Sequence, residues 1–392
     1  MRVLLAAVAA FSLIAQEQDA KARMKAVVAL IETGGPQSLD ALTPYLADPD
    51  AGVQKTAVDG LVNLYLPGYF KSGWRGRFQK ATGAVTDRFT GGDDPVVPSY
   101  VTVRPEITGG IAKVAAETPS METKAAACRA LGVLRAGAAS ETLLGALATK
   151  NTAVLYEVMT AFEKIRNPAV APKLFYLLRD PDEKVQIAAI QTVSLLGNKE
   201  AIAPLREAWT RTKSDRVRRV LMEAFALLPD LSNRALFDQH VMANDELLRA
   251  GAAEGLGRLK AKDDLARLKT LFEGERKIRP RLSLAYAVVN LGQTEISELS
   301  PLQYLINTLN HKAWRGVAMG FLKELSREAS VRFAVHSAAL QATRDEKLGI
   351  AEILGHAGAK DSIEILEALS KDKDTEVSAE ALRALRVLRA QL

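Results

Sequence analysis

The chain is poor in the residues that would staple or plug a small globular core. It has one cysteine in 392 residues, so no disulfide can form within it. Aromatic residues make up only 6%, which argues against a β-rich fold and suits helices packed through small side chains. After the first fifteen residues no long apolar run occurs, so nothing later reads as a permanent membrane span. Neither sign of charge dominates: 52 Lys and Arg against 46 Asp and Glu leave a formal charge of +6. Over a chain this long that excess permits an acidic partner without demanding one.

Catalytic and metal motifs are also missing. His240, His311, His336 and His356 form no HExxH pair, and both His336 and His356 are expected to face solvent. Gly91-Gly92 lacks the lysine and helix of a phosphate loop, no G-x-S-x-G occurs, and Asp93-Asp94 is too short for a calcium loop. Cys128, beside Ala127, reads as a small core residue. Glu106, Glu117 and Glu122 show no spacing of catalytic use. These features predict no enzyme, no cofactor and no metal.

What the chain does have is an internal repeat. In the stretch from Leu174 to Leu196, Leu174, Leu177 and Leu178 make one short apolar face. Asp180-Pro181-Asp182 then breaks the chain: the proline lacks a donor, and the aspartate can accept from the free N–H groups of a following helix. Val185, Ala189, Val193 and Leu196 form the next helical stripe. With Val185 as anchor, equivalents fall at Ala22, Val53, Thr123, Val154, Val217, Leu248, Arg281, Trp314, Glu346 and Val377. They recur about every 31 residues, with one long gap after Val53. Four residues past each anchor stands an apolar and usually small residue, from Ala26 and Ala57 to Ala381. Eight past stands a larger one, from Leu30 and Leu61 to Leu385. Such a period signals hairpins that bury their stripes against their neighbours.

The unit resembles a short bacterial HEAT repeat, similar to the repeats of the phycobilisome lyase family. The residues that carry the likeness are Leu42 to Asp50 with Val53, and Leu174 to Asp182 with Val185. That family often places arginine directly after the anchor; Arg218 and Arg249 match, while Gln54, Leu155 and Gln186 depart. The resemblance implies an all-α, right-handed α-solenoid (a superhelix) of about ten HEAT-like helical hairpins. Bilin-lyase-like chromophore attachment is the activity it would imply as an alternative.

Four segments follow. Residues 1–15 combine Arg2 with an uncharged apolar run ending before Gln16, which predicts a signal peptide cleaved after Ala15 and export to the periplasm. If that segment is retained, the chain stays cytoplasmic. Residues 16–66 hold a cap helix and the first hairpin. Residues 67–106 are one irregular insertion, rich in glycine, proline and aromatics, with a short strand expected over Val96 to Val103. Residues 107–392 are the regular array.

Insertions in repeat arrays often carry the binding face. Tyr69 and Trp74 are therefore candidate aromatic anchors, with Arg75 and Arg77 to engage acidic groups; the alternative is a plug packed onto the first repeats. Basic residues also cluster over 206–281, with Arg216, Arg218 and Arg219 in front. If they lined one edge they would make a positive ridge able to grip phosphates. Ordinary acid–base pairing would equally account for them, and export argues against nucleic acid. The function expected is a non-enzymatic scaffold that holds another protein on its concave face or through the insertion.

Overall fold

The computed structural model describes residues 19–66, 96–98 and 100–392. The expected signal peptide, and Tyr69, Trp74, Arg75 and Arg77 of the insertion, lie outside the described residues.

The described residues form two compact units. The first takes 19–66, 96–97 and 101–173; the second takes 98, 100 and 174–392. The first holds α1 (19–33), α2 (Pro36–Leu42), α3 (Ala51–Tyr65), α4 (Pro105–Glu117), α5 (Met121–Val133), α6 (Ser140–Ala146) and α7 (Thr152–Ile165). The second begins with α8 (Glu183–Leu195), α9 (Ile202–Arg211), α10 (Asp215–Leu227), α11 (Arg234–His240) and α12 (Glu246–Leu259). It continues with α13 (Leu265–Gly274), α14 (Ile278–Asn290), α15 (Pro301–Asn307), α16 (Arg315–Leu325) and α17 (Ala329–Ala339). It closes with α18 (Arg344–Ala357), α19 (Ile363–Leu369) and α20 (Thr375–Arg389). Short 3-10 turns join several of these, and the described residues contain no strand. The described residues are all-α, built of helical hairpins.

Most hairpins are closed by side chains at fixed places. Three residues before the anchor a short polar side chain caps the second helix: Asp50, Ser120, Asn151, Asp182, Ser214, Asp245, Thr343 and Asp374 each accept from backbone N–H groups. Such a cap contributes about 1 kcal/mol. Two residues earlier, Asp48, Asp180 and Asp372 accept the N–H of the capping aspartate itself, at 2.8–2.9 Å. The residue after the anchor reaches back to the first helix of its own hairpin. Gln54, Lys124, Gln186 and Ser378 donate to the carbonyls of Leu46, Ala116, Leu178 and Ser370. Arg249 and Arg315 do the same to Ala243 and Leu309. The aspartate turn thus satisfies donors, and the post-anchor side chain satisfies the carbonyls that a helix end leaves open.

The packing columns hold from α3 onward. Ala57, Ala127, Ala189, Ala252, Ala285 and Ala381 are buried, as are Leu61, Leu131, Val193, Leu256 and Leu322 behind them. Val53, Val154, Val185, Val217 and Val377 are buried anchors.

Four expectations are corrected. In α1 the buried side chain is Val27, while Ala22 and Ala26 face solvent; the terminal helix is rotated relative to the repeat register. The segment Pro168–Arg179 winds as 3-10 turns rather than as α-helix, because Pro172 cannot donate an α-helical bond from its interior. Residues 96–98 form no strand; Val97 is buried and donates to the Val133 carbonyl at 2.9 Å. His336 does not face solvent: it is buried, its Nε2 lies 2.9 Å from Ser362 Oγ, and burial lowers its pKa. His356 is exposed as expected. Cys128 is fully buried, and burial pushes its thiol up to about 12, so it stays an unreactive core residue.

Candidate functional site: a buried acid–base cluster

The second helices of four successive hairpins in the second unit bring charged side chains together in the protein interior. Glu223 comes from α10, and Glu254 and Arg258 from α12. Arg279, Ser283 and Tyr286 come from α14, and Phe321 and Glu324 from α16. Glu223 and Glu254 occupy the same place in their hairpins, six residues past Val217 and Leu248. That place lies on the flank of the apolar stripe, so a side chain there is covered by the next hairpin.

Arg279 is 2% exposed and Glu223 3%, so their charges must be compensated inside the protein. Arg279 Nη2 stands 3.0 Å from Glu254 Oε1, and Arg279 Nη1 donates to Ser283 Oγ at 2.7 Å. Ser283 in turn donates to Glu254 Oε1 at 2.8 Å. Arg258 makes a two-pronged pair with Glu324, Nε to Oε1 at 2.9 Å and Nη2 to Oε2 at 2.8 Å, and reaches Glu254 Oε2 at 3.2 Å. The Tyr286 hydroxyl also donates to Glu324. Tyr286 stacks on Phe321 with ring centroids 4.7 Å apart, and the Arg258 guanidinium lies 4.7 Å from the Tyr286 ring centre.

Glu223 stands apart from this network. Arg279 Nη2 comes no nearer than 3.9 Å to its Oε1, and neither carboxyl oxygen has a hydrogen-bond partner. Burial pushes the Glu223 carboxyl up to about 8; Arg279 pulls it down only in part, and Glu254 adds repulsion. Burial also opposes ionisation of Glu324, but Arg258 and the Tyr286 hydroxyl outweigh it and hold that carboxyl below its usual range. Glu223 faces a small, partly enclosed cavity of about 50 Å³, lined by Leu227, Glu254, Arg258, Arg279, Gly320, Phe321 and Glu324. Leu227, Gly320 and Glu324 are half-buried and form its outer side.

Basic residues of the expected ridge over 206–281 lie near carboxylates. Arg216 lies 3.6 Å from Glu183, Arg218 lies 4.0 Å from Asp215, and Arg219 lies 2.7 Å from Asp245. All three sit near the start of α10, about one turn or more before Glu223. Arg267 pairs with Asp238, Lys277 with Glu246, and Lys260 with Glu328. Arg258 and Arg279 belong to the buried cluster. Several members of this basic run thus lie against carboxylates or inside the buried cluster. Arg23 and Arg315 also hold the post-anchor position, pairing with Asp48 and Asp345. Arginine directly after the anchor therefore occurs at Arg23 and Arg315 as well as at Arg218 and Arg249. The cluster itself had one readable signal: a glutamate six residues past the anchor in two successive repeats, inside otherwise apolar helices.

Comparisons with known proteins bear on the fold. The CpcE–CpcF complex of the phycocyanin lyase from a Nostoc species is similar at 20% identity with a TM-score of 0.39, over 74% of this chain and 96% of that one. Human deoxyhypusine hydroxylase aligns at 16% identity and TM-score 0.29, over 72% and 96% of the two chains. Importin beta aligns at 13% identity and TM-score 0.35, over 90% and 57%. No curated protein sequence matches the chain. The family description "HEAT repeats" matches residues 141–226, from the first turn of α6 to the last turn of α10. That stretch is therefore made of HEAT repeats, and the hairpins on either side repeat its caps and its packing columns.

Proposed function

We propose that the chain is a non-enzymatic scaffold of the HEAT type that holds another protein. Its contact face is the one formed by the second helices of the second unit, with the 67–106 insertion as a further contact. The observation that carries this reading is the Glu223 cavity. Phe321, Arg258 and Glu324 are held there in fixed geometry beside half-buried Leu227 and Gly320. Aromatic and arginine side chains in desolvated pockets supply most of the energy at protein interfaces, and the surrounding contacts mainly exclude water. A rigid stack of hairpins presents such a pocket at no ordering cost.

A photo-crosslinking amino acid at Leu227, beside the cavity, tests the reading, with Leu299, an exposed loop residue of the same unit, as control. The scaffold reading expects one protein crosslinked from the native host at Leu227 and not at Leu299. Equal yields at both places contradict it. Trp74→Ala with Arg75→Ala tests the insertion: loss of part of the partner set supports its role, and full retention removes it. Export is proposed from residues 1–15, and mass spectrometry of the mature N-terminus in the native host decides it: a chain starting at Gln16 supports export, an intact Met1 or Arg2 contradicts it.

A further inference from the structure

The buried cluster is short of one positive charge. Glu223, Glu254 and Glu324 face only Arg258 and Arg279. Exposed Arg327, just past α16, adds charge from the solvent side of Glu324, and Tyr286 contributes a neutral hydroxyl. The deficit falls on one place. Glu223 is buried, has both oxygens free of hydrogen bonds, and faces a cavity of about 50 Å³. We propose that this cavity is a binding site for a single primary ammonium group, with Glu223 as its counter-ion. The volume admits a water-sized, compact head and excludes a bulky quaternary one. An ammonium brings three donors, and three carboxylates, Glu223, Glu254 and Glu324, line the cavity. Leu227 and Phe321 supply the apolar wall for its carbon stem.

In the empty protein the missing charge is made up by a proton on Glu223, which burial favours. Binding therefore exchanges one cation for another: the ammonium enters, Glu223 ionises, and its proton leaves to solvent. No bond to carbon or nitrogen is made or broken.

The same chemistry comes from a free small amine or from a lysine side chain of the partner. The inference rests on the scaffold reading only for the lysine source. The test is calorimetric titration of the full-length protein with methylammonium chloride, repeated in buffers of different ionisation heat. Saturable binding with close to one proton released at pH 7, and affinity at least tenfold higher at pH 9 than at pH 6, is the expected result. Tetramethylammonium should not bind. Glu223→Gln should weaken methylammonium about thirtyfold or more, as loss of a buried charge partner does. Glu324→Gln gives a second variant should the first not fold. It removes the charge deficit from the other side of the cavity and should also abolish binding. No heat with methylammonium at 100-fold the protein concentration up to solubility, or equal binding to wild type and both variants, overturns the ammonium site.

A further arm uses Nα-acetyl-lysine methylamide. Binding at least as tight as methylammonium assigns the site to a lysine side chain, and exclusion assigns it to a free amine. Failure of the two readings is distinguishable. Methylammonium binding without crosslinks at Leu227 sinks the scaffold face and spares the site, and the reverse pattern spares the scaffold alone.

Discussion

Helix α14 has two very different neighbours. Toward α12 the later turns of the two helices meet through small residues: a Cβ added at Gly257 would stand 2.7 Å from the Ala287 Cα, so the backbones nearly touch there, while Glu254 pairs with Arg279 and Ser283 nearer the start of α14. Toward α16 the contact is made of large ones, with Tyr286 stacked on Phe321 at 4.7 Å and Arg279 5.6 Å from the Phe321 ring centre. The two helices of this looser interface, α14 and α16, are also the second helices of the second unit that lack a side-chain N-cap. Where small residues line both helices, packing leaves no room for anything else. Where bulky and charged side chains from α10, α12, α14 and α16 meet instead, a cavity remains beside Glu223.

The comparison is most forcefully broken at its charged side. Arg279→Met keeps much of the volume but leaves Glu223 without its nearest cation and Glu254 with Arg258 alone. Denaturant unfolding, followed by tryptophan fluorescence, should show a loss of about 3–5 kcal/mol. A loss below 1 kcal/mol would mean that the cluster is open to water.

The next effect is a pH dependence. Glu223 has a folded pKa of about 8 against an ordinary 4.5, so the folded state holds this proton more tightly than the unfolded chain does. Its contribution is fully present below the ordinary value and is lost as pH rises from about 4.5 through 8. Wild type should therefore lose on the order of a few kcal/mol relative to the Glu223→Gln variant across that window. Parallel stability curves for the two proteins would show that Glu223 does not hold a proton.

On the close side, Gly257→Ala pushes a methyl into the Ala287 backbone and should cost about 1–3 kcal/mol. Gly316 of α16, where an added Cβ meets nothing within 4 Å, provides the counterpart. Gly316→Ala should stabilise by about 0.5–1 kcal/mol through helix propensity alone. Equal costs at the two glycines would erase the distinction between the interfaces.

Much of the close interface was readable from the chain alone. A small residue four past the anchor and a larger one eight past it are local facts, repeated until chance is excluded, and the structure buries both from Ala57 and Leu61 to Ala381 and Leu385. The aspartate turns were readable for the same reason, since Asp182 caps a helix that begins one residue later. The acid–base cluster was not. Arg258 and Arg279 sit among other basic residues in sequence, and a charge run says nothing about which way each side chain turns. Apart from Glu254, one turn before Arg258, their carboxylate partners lie on other hairpins, with Glu324 66 residues away from Arg258. Register also failed at the end of the array, where α1 buries Val27 instead of Ala26. α1 is the first helix of the described residues, and it is tied to the hairpin that follows it by the Arg23–Asp48 pair.

The account turns on one proton. Carboxyl carbons of glutamate, labelled with 13C and followed by NMR from pH 4 to pH 10, report each ionisation, and the resonance absent from the Glu223→Gln variant identifies Glu223. A midpoint near 8, moving down by more than one pH unit when methylammonium is added, is the predicted result. A midpoint in the ordinary carboxylate range, unmoved by methylammonium, would contradict the claim that the cluster lacks a cation.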